Sequence, residues 1–235
     1  AGGPAASRRA VAELLLAHHV QPILPLGSDE KAAWDDLTFC LDRGLALALL
    51  HEARGEGVPP VTDPAVVRAA RLASRLVQGG YGRAGAVLVP FPKPVTARGQ
   101  AVEAAQALSQ RFPDLVWLYR GEGDPPASLH GDYWCRPLAA EGPKPLLDEA
   151  VAIRRSRTTQ REAWVLSPGS ADYPRVNVAL ANRLLHLRLL PWFAWCYGVR
   201  ALFLPGARSW SHLATGDGVL VYPGSGDTPR PSLCL

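Results

Sequence analysis

Short apolar runs of strand length recur along this chain, and a segment of helical period separates most of them. Residues 45–52, LALALLHE, have no alternation at all, and residues 87–89, VLV, run straight into Pro90. An uninterrupted apolar run of this length is the mark of a strand covered on both faces, as in a parallel sheet. Between these two runs lies TDPAVVRAARLASRLVQGG, with Thr62 or Asp63 as N-cap, Pro64 in the first turn and Gly79-Gly80 as its stop. A strand, a helix and a parallel strand make one βα unit.

The pattern extends in both directions. RRAVAELLLAH (8–18) predicts a helix, VQPILPL (20–26) a strand, and 29–42 a helix with Trp34, Leu37 and Leu41 on one face. Beyond the VLVP run, RGQAVEAAQALSQRF (98–112) predicts a helix, LVWLYR (115–120) a strand and GDYWCRP (131–137) a short strand end. LLDEAVAIRRSR (146–157) predicts a helix, EAWVLS (162–167) a strand, NVALANRLLHLRLLPWFAWC (177–196) a long apolar helix and VRALFLPG (199–206) a last strand. About seven strands and no linker predict one domain over 1–235 of α/β class, a (β/α)8 TIM-barrel-like fold rather than an open doubly wound sheet. The ring's first strand and last helix are expected to lie outside this segment. Gly80, Gly82 and Gly85 match G-x-G-x-x-G, but they follow a helix and lead into a strand, which reads as a turn and not as a dinucleotide loop.

Composition narrows the function. The 235 residues are 48% hydrophobic and 20% charged, with a net charge of +4, which describes an ordinary folded chain. Only Lys31, Lys93 and Lys144 among the 25 basic residues are lysine, and the arginines are scattered among acids, so no nucleic-acid partner is expected. No run is long enough for a membrane span. The absence of methionine implies a processed chain or a segment of a longer one. Cys40, Cys135, Cys196 and Cys234 form no C-x-x-C pair and read as buried thiols, with one disulfide of an exported protein as the alternative. Histidine spacing supports no metal site, no G-x-S-x-G elbow is present, GSGDTPRPS has too few acids for calcium, and no cofactor is expected.

In a barrel the working face lies at the C-terminal ends of the strands. Glu52, Arg120, Glu122, Asp124, Asp132, Trp134, Trp164 and Trp210 fall at or near such ends. Arginines, carboxylates and indoles on one rim suit a sugar, whose apolar ring faces pack on aromatic faces.

Four stretches, 79–94 (GGYGRAGAVLVPFPKP), 131–137, 162–210 and 216–235 (GDGVLVYPGSGDTPRPSLCL), resemble glycoside hydrolase family 123, the β-N-acetylgalactosaminidase-type enzymes. The resemblance runs over residues 11–235 and is most specific in the last third. It implies a retaining hydrolysis in which the substrate's 2-acetamido oxygen attacks the anomeric carbon, an Asp orients that group and the adjacent Glu is general acid/base. Such enzymes are exceptions to the two-carboxylate rule. Laid on this chain, Pro92 stands at the place of the Asp, Lys93 at that of the general acid and Pro94 at that of the family's proline. Leu166 and Pro205 replace a tyrosine and a tryptophan that the family tends to have. Proline has no titratable group, and lysine donates a proton near neutral pH only with its pKa far below about 10.4. No acid occurs between Gly79 and Val102.

Three functions follow as expectations. The first is a glycan-binding or scaffolding barrel in which Pro92 and Lys93 have replaced the catalytic pair, with Trp134, Trp164, Trp210, Asp132 and Arg120 toward an oligosaccharide. The second is an active glycosidase on N-acetylhexosamine-containing glycans with relocated acids drawn from Glu52, Glu122, Asp124 and Asp132. The third is a non-carbohydrate role for the basic stretch RRSRTTQRE (154–162), which otherwise reads as a solvated helix end. Whether the chain is an enzyme stays open between the first two. The resemblance also implies a bacterial protein that is exported or periplasmic.

Overall fold

The computed structural model describes residues 5–18, 20–23, 29–55, 57–92, 95–121, 125–129, 131–138, 161–166, 192, 195, 199, 201–203, 221–222 and 230–231. The chain divides into two compact units, one of Ala1–Arg120, Ser128–Asp132 and Pro223–Pro229, the other of Gly121–Ala127, Tyr133–Tyr222 and Arg230–Leu235. The first is mixed α/β with parallel strands, and the elements described in the second are strands.

In the first unit the elements run α1 (Ala5–Ala17), α2 (Glu30–Leu41), β1 (Ala48–Glu52), α3 (Pro64–Gln78), β2 (Gly85–Pro90), α4 (Val95–Arg111) and β3 (Val116–Arg120). The strands lie side by side in the order β1-β2-β3, all parallel. α3 and α4 make the two crossovers, as the βα reading requires. Asp63 caps α3, its Oδ1 accepting from the Ala65 and Val66 amides at 2.8 and 3.1 Å, with Pro64 in the first turn where its missing N–H costs nothing. Asp29 caps α2 in the same way. The glycine triplet is a turn: Gly79 caps α3 and the left-handed φ of +86° at Gly80 and +65° at Gly82 carries the chain to β2.

The register sorts the side chains onto two faces. Val87 and Val89 align with Trp117 and Tyr119, while Leu88 and Pro90 align with Leu118 and Arg120. The first set faces the helices. The Tyr119 hydroxyl donates to the Ala105 carbonyl of α4 at 3.4 Å, and an added Cβ on Gly85 would stand 3.1 Å from that of Ala73 on α3. The second face is also buried, at Ala86, Leu88, Val116 and Leu118. Double burial is what the VLV run predicts; β1 departs from it, with Ala48 and Leu50 buried but Leu49 and His51 only half-buried and Glu52 exposed.

The segment after α1 departs from its expectation. Of the strand expected over 20–26, the described residues 20–23 form none, and residues 24–26 lie outside the described residues. Pro22 offers no ladder donor, the Val20 amide folds back onto the Leu15 carbonyl at 2.9 Å, and Gln21 uses its side chain, donating to Gly44 O and accepting from the Ala46 amide.

Cys40 on α2 is a buried free thiol, and Cys135 on the later strand 133–138 is buried as well. Burial, aided by the Asp36 carboxylate, pushes the Cys40 thiol up from 9.0 to about 11. Between those values the folded chain holds a proton that the unfolded chain releases, so stability falls as pH rises from about 9 to 11. Cys40→Ala is expected to flatten that fall in urea unfolding measured across this window.

The second unit holds β4 (Tyr133–Leu138), β5 (Arg161–Leu166) and β6 (Ala201–Phe203), again parallel and in that order. β7 (Val221–Tyr222) and β8 (Arg230–Pro231) form a separate antiparallel pair that the sequence reading does not anticipate. The helices expected over 146–157 and over most of 177–196 lie outside the described residues. No helix among the described residues is long and apolar enough to cross a membrane.

Candidate functional site

Three strands of the first unit end together. β1 closes on Glu52, β2 on Pro90 and β3 on Arg120, with Ala53 and Phe91 continuing the ladder by donating their amides to Leu88 O and Arg120 O, each at 2.8 Å. Glu52, Pro90 and Arg120 share the face turned away from α3 and α4. Arg120 reaches across the end of β2, and its Nη1 donates to Glu52 Oε1 at 3.0 Å. β1 and β3 are not neighbours, so this bridge spans two inter-strand spacings, about 10 Å. It is half-exposed, 52% at the Glu52 side chain and 39% at Arg120. At such exposure it adds little stability. Its chemistry is that of a fixed donor and acceptor pair facing solvent.

Behind the bridge the corner is apolar. Phe91 is buried, meeting Tyr119 edge to face at 6.2 Å, and Pro92 is half-buried. Lys93 lies outside the described residues, and so do Glu122, Asp124 and Trp210. On the connection from β1 to α3 the described carboxylate is Asp63, which is held at the helix cap.

Asp132 is placed elsewhere. It sits before β4 and binds the beginning of β3: its Oδ2 accepts from the Trp117 amide at 2.9 Å, and its own amide donates to Trp117 O at 3.1 Å. Arg83, just ahead of β2, grips both carboxylate oxygens at 3.1 and 3.0 Å. Asp132 therefore belongs to the edge of the sheet opposite Glu52 and Arg120. The two acids are not brought together.

The indoles differ among themselves. Trp134, second in β4, is fully buried. Trp164 lies on β5 in register with Arg136 and Leu202, and its side chain is outside the described set. Two tryptophans that the sequence reading passes over stand out instead. Trp192 and Trp195 are 66% and 76% exposed, with their rings at right angles 6.5 Å apart. They occur in a run apolar on every side, so their composition alone marks them as core.

Among the described residues no cluster of His, Cys, Asp and Glu has the geometry to hold a metal.

No protein-family model matches the chain, and no curated protein does. Among solved structures, a family 123 glycoside hydrolase from Clostridium perfringens, studied for glycolipid glycan hydrolysis, aligns with 84% of this chain and 41% of its own. The identity is 11% and the TM-score 0.49. This chain thus spans less than half the length of that enzyme. At a TM-score below 0.5 the likeness carries no argument for either fold or function.

Proposed function

We propose that the chain is part of a glycoside-hydrolase-like (β/α)8 barrel that binds a glycan and does not cleave it by the acetamido-assisted route. One observation carries the reading. At the strand ends of the first unit the carboxylate on the shared face, Glu52, is tied to Arg120 at 3.0 Å, and residues 79–102 contain no acid. The two-carboxylate mechanisms need a second carboxyl about 5–9.5 Å away, and among the described residues Asp132 stands at the other edge and Asp63 is held at its cap.

Binding asks less of the rim. Arg120 and Glu52 offer a donor edge and an acceptor to sugar hydroxyls or an acetamido group. The second unit, taken by itself, exposes the flat apolar faces of Trp192 and Trp195, of the kind that pack on pyranose rings. The sequence resemblance to family 123 supplies the substrate class, an N-acetylhexosamine-containing glycan.

Calorimetric titration with an N-acetylgalactosamine-terminated oligosaccharide tests this. Saturable binding is expected, weakened roughly tenfold in Arg120→Gln by loss of a charged hydrogen bond. No heat of binding, or unchanged affinity in the variant, would contradict it.

A further inference from the structure

On the outside of the first unit, α2, α3 and the end of α4 enclose a groove of about 520 Å3 lined by Glu30, Arg71, Ser74, Arg75, Gln78, Arg111 and several apolar residues. That volume falls within the ordinary small-ligand range. We infer that this groove binds a short oligosaccharide carrying carboxylate or sulfate groups. The inference stands on the helical layer and not on the Glu52–Arg120 rim.

The arginines are the first ground. Arg71 and Arg75 are one turn apart on α3 and Gln78 follows them, so the three project from one side of the helix. Arg111 arrives from the last turn of α4. Elsewhere in the unit, Arg8, Arg9, Arg43, Arg83 and Arg120 each hold a carboxylate. Among the described residues Arg71, Arg75 and Arg111 hold none. The lining therefore has three guanidiniums against one carboxylate, Glu30. The nearby Ser74 hydroxyl is already donated to Asp114, at 2.5 Å.

Two of the three cations are also held in place. The Arg75 guanidinium lies 4.3 Å over the Trp34 ring and that of Arg111 6.0 Å from the Phe112 ring centre. A guanidinium stacked on an aromatic face keeps its N–H edge for an acceptor, and that planar fork matches carboxylate and sulfate.

The rest of the lining selects the frame that carries the anions. Val67, Ala70 and Leu72 contribute a small apolar surface and Gln78 an amide, which suits the mixed faces of a sugar ring. A nucleic acid fits less well. Its bases need open aromatic faces, and here the Trp34 and Phe112 rings already lie against arginines, while Glu30 opposes a continuous run of phosphates. The competing account is that Arg75 and Arg111 merely complement the negative C-terminal ends of α3 and α4.

The test is titration of the whole chain with a sulfated heparin hexasaccharide, a hexagalacturonate, neutral chitohexaose and a single-stranded DNA 12-mer. Saturable binding is expected for at least one acidic sugar, weakening as salt rises. The arm that binds identifies sulfate or carboxylate as the anion. Replacing Arg71, Arg75 and Arg111 together by Gln is expected to weaken it by tenfold or more, on the order expected for charged hydrogen bonds. Should the triple variant fail to fold, Arg71→Gln alone, at an exposed position, is expected to weaken binding several-fold. The inference is overturned if neither acidic sugar binds, if chitohexaose or DNA binds as tightly, or if the variant that folds retains full affinity.

Discussion

Trp117→Ala is expected to cost about 3–5 kcal/mol of stability in urea unfolding, the range for emptying a fully packed aromatic site. Trp117 is 1% exposed and its ring stacks on that of Tyr119, 6.4 Å away and tilted by 14°. It also carries a defect. Its buried Nε1 has no hydrogen-bond partner among the described residues, and an orphaned buried donor costs about 1–3 kcal/mol. Trp117→Phe deletes that donor together with part of the ring, so the two effects oppose each other. Its expected cost is under about 1.5 kcal/mol, the range for a tolerated apolar exchange. A Phe variant as damaged as the Ala variant would contradict this and show that the indole N–H makes a bond whose loss outweighs the retained ring.

The second large effect concerns Asp132. Asp132→Ala removes the two-point grip on Arg83 and leaves the Trp117 amide without its acceptor. Charged hydrogen bonds of this kind contribute about 1.5–3 kcal/mol, and the carboxylate is only 27% exposed, so a loss of about 2–3 kcal/mol is expected. Asp132→Asn retains one acceptor oxygen and is expected to lose about half as much. Because Asp132 works at the edge away from Glu52 and Arg120, glycan affinity is expected to stay unchanged in Asp132→Asn. A fall in affinity without a fall in stability would return Asp132 to the binding surface.

Local chemistry was the most legible layer of this chain. Asp63-Pro64 at one end and Gly79-Gly80 at the other bound α3 because capping is decided by residues next to one another in sequence. The VLVP run announced a doubly covered strand because burial on both faces leaves no polar position to alternate with, whereas residues 45–52 gave a strand, Ala48–Glu52, that buries Ala48 and Leu50 and leaves Leu49 and His51 half-buried. Their parallel pairing through α3 then follows from connection length.

Edge assignment was less legible. The reading put Asp132 with Glu52 because both adjoin a strand. Asp132 instead binds the Trp117 amide and carbonyl at the start of β3, the end of that strand away from Arg120. Ion pairing was illegible for a similar reason: Glu52 and Arg120 are 68 residues apart, and only the strand order brings them within reach. The groove of Arg71, Arg75 and Arg111 did leave a trace in the i, i+4 spacing on an amphipathic helix. An exposed helical face carries arginines for many reasons, however, and their lack of partners is visible only in three dimensions.

The account depends on the strand-end corner having lost its proton donor. The most direct measurement is turnover of 4-nitrophenyl N-acetyl-β-galactosaminide by the whole chain at micromolar concentration across pH 4–8, alongside Glu52→Gln. The account predicts release of nitrophenol at the buffer rate for both proteins at every pH. Release well above buffer in the parent chain, abolished by Glu52→Gln, would contradict it and assign Glu52 to catalysis.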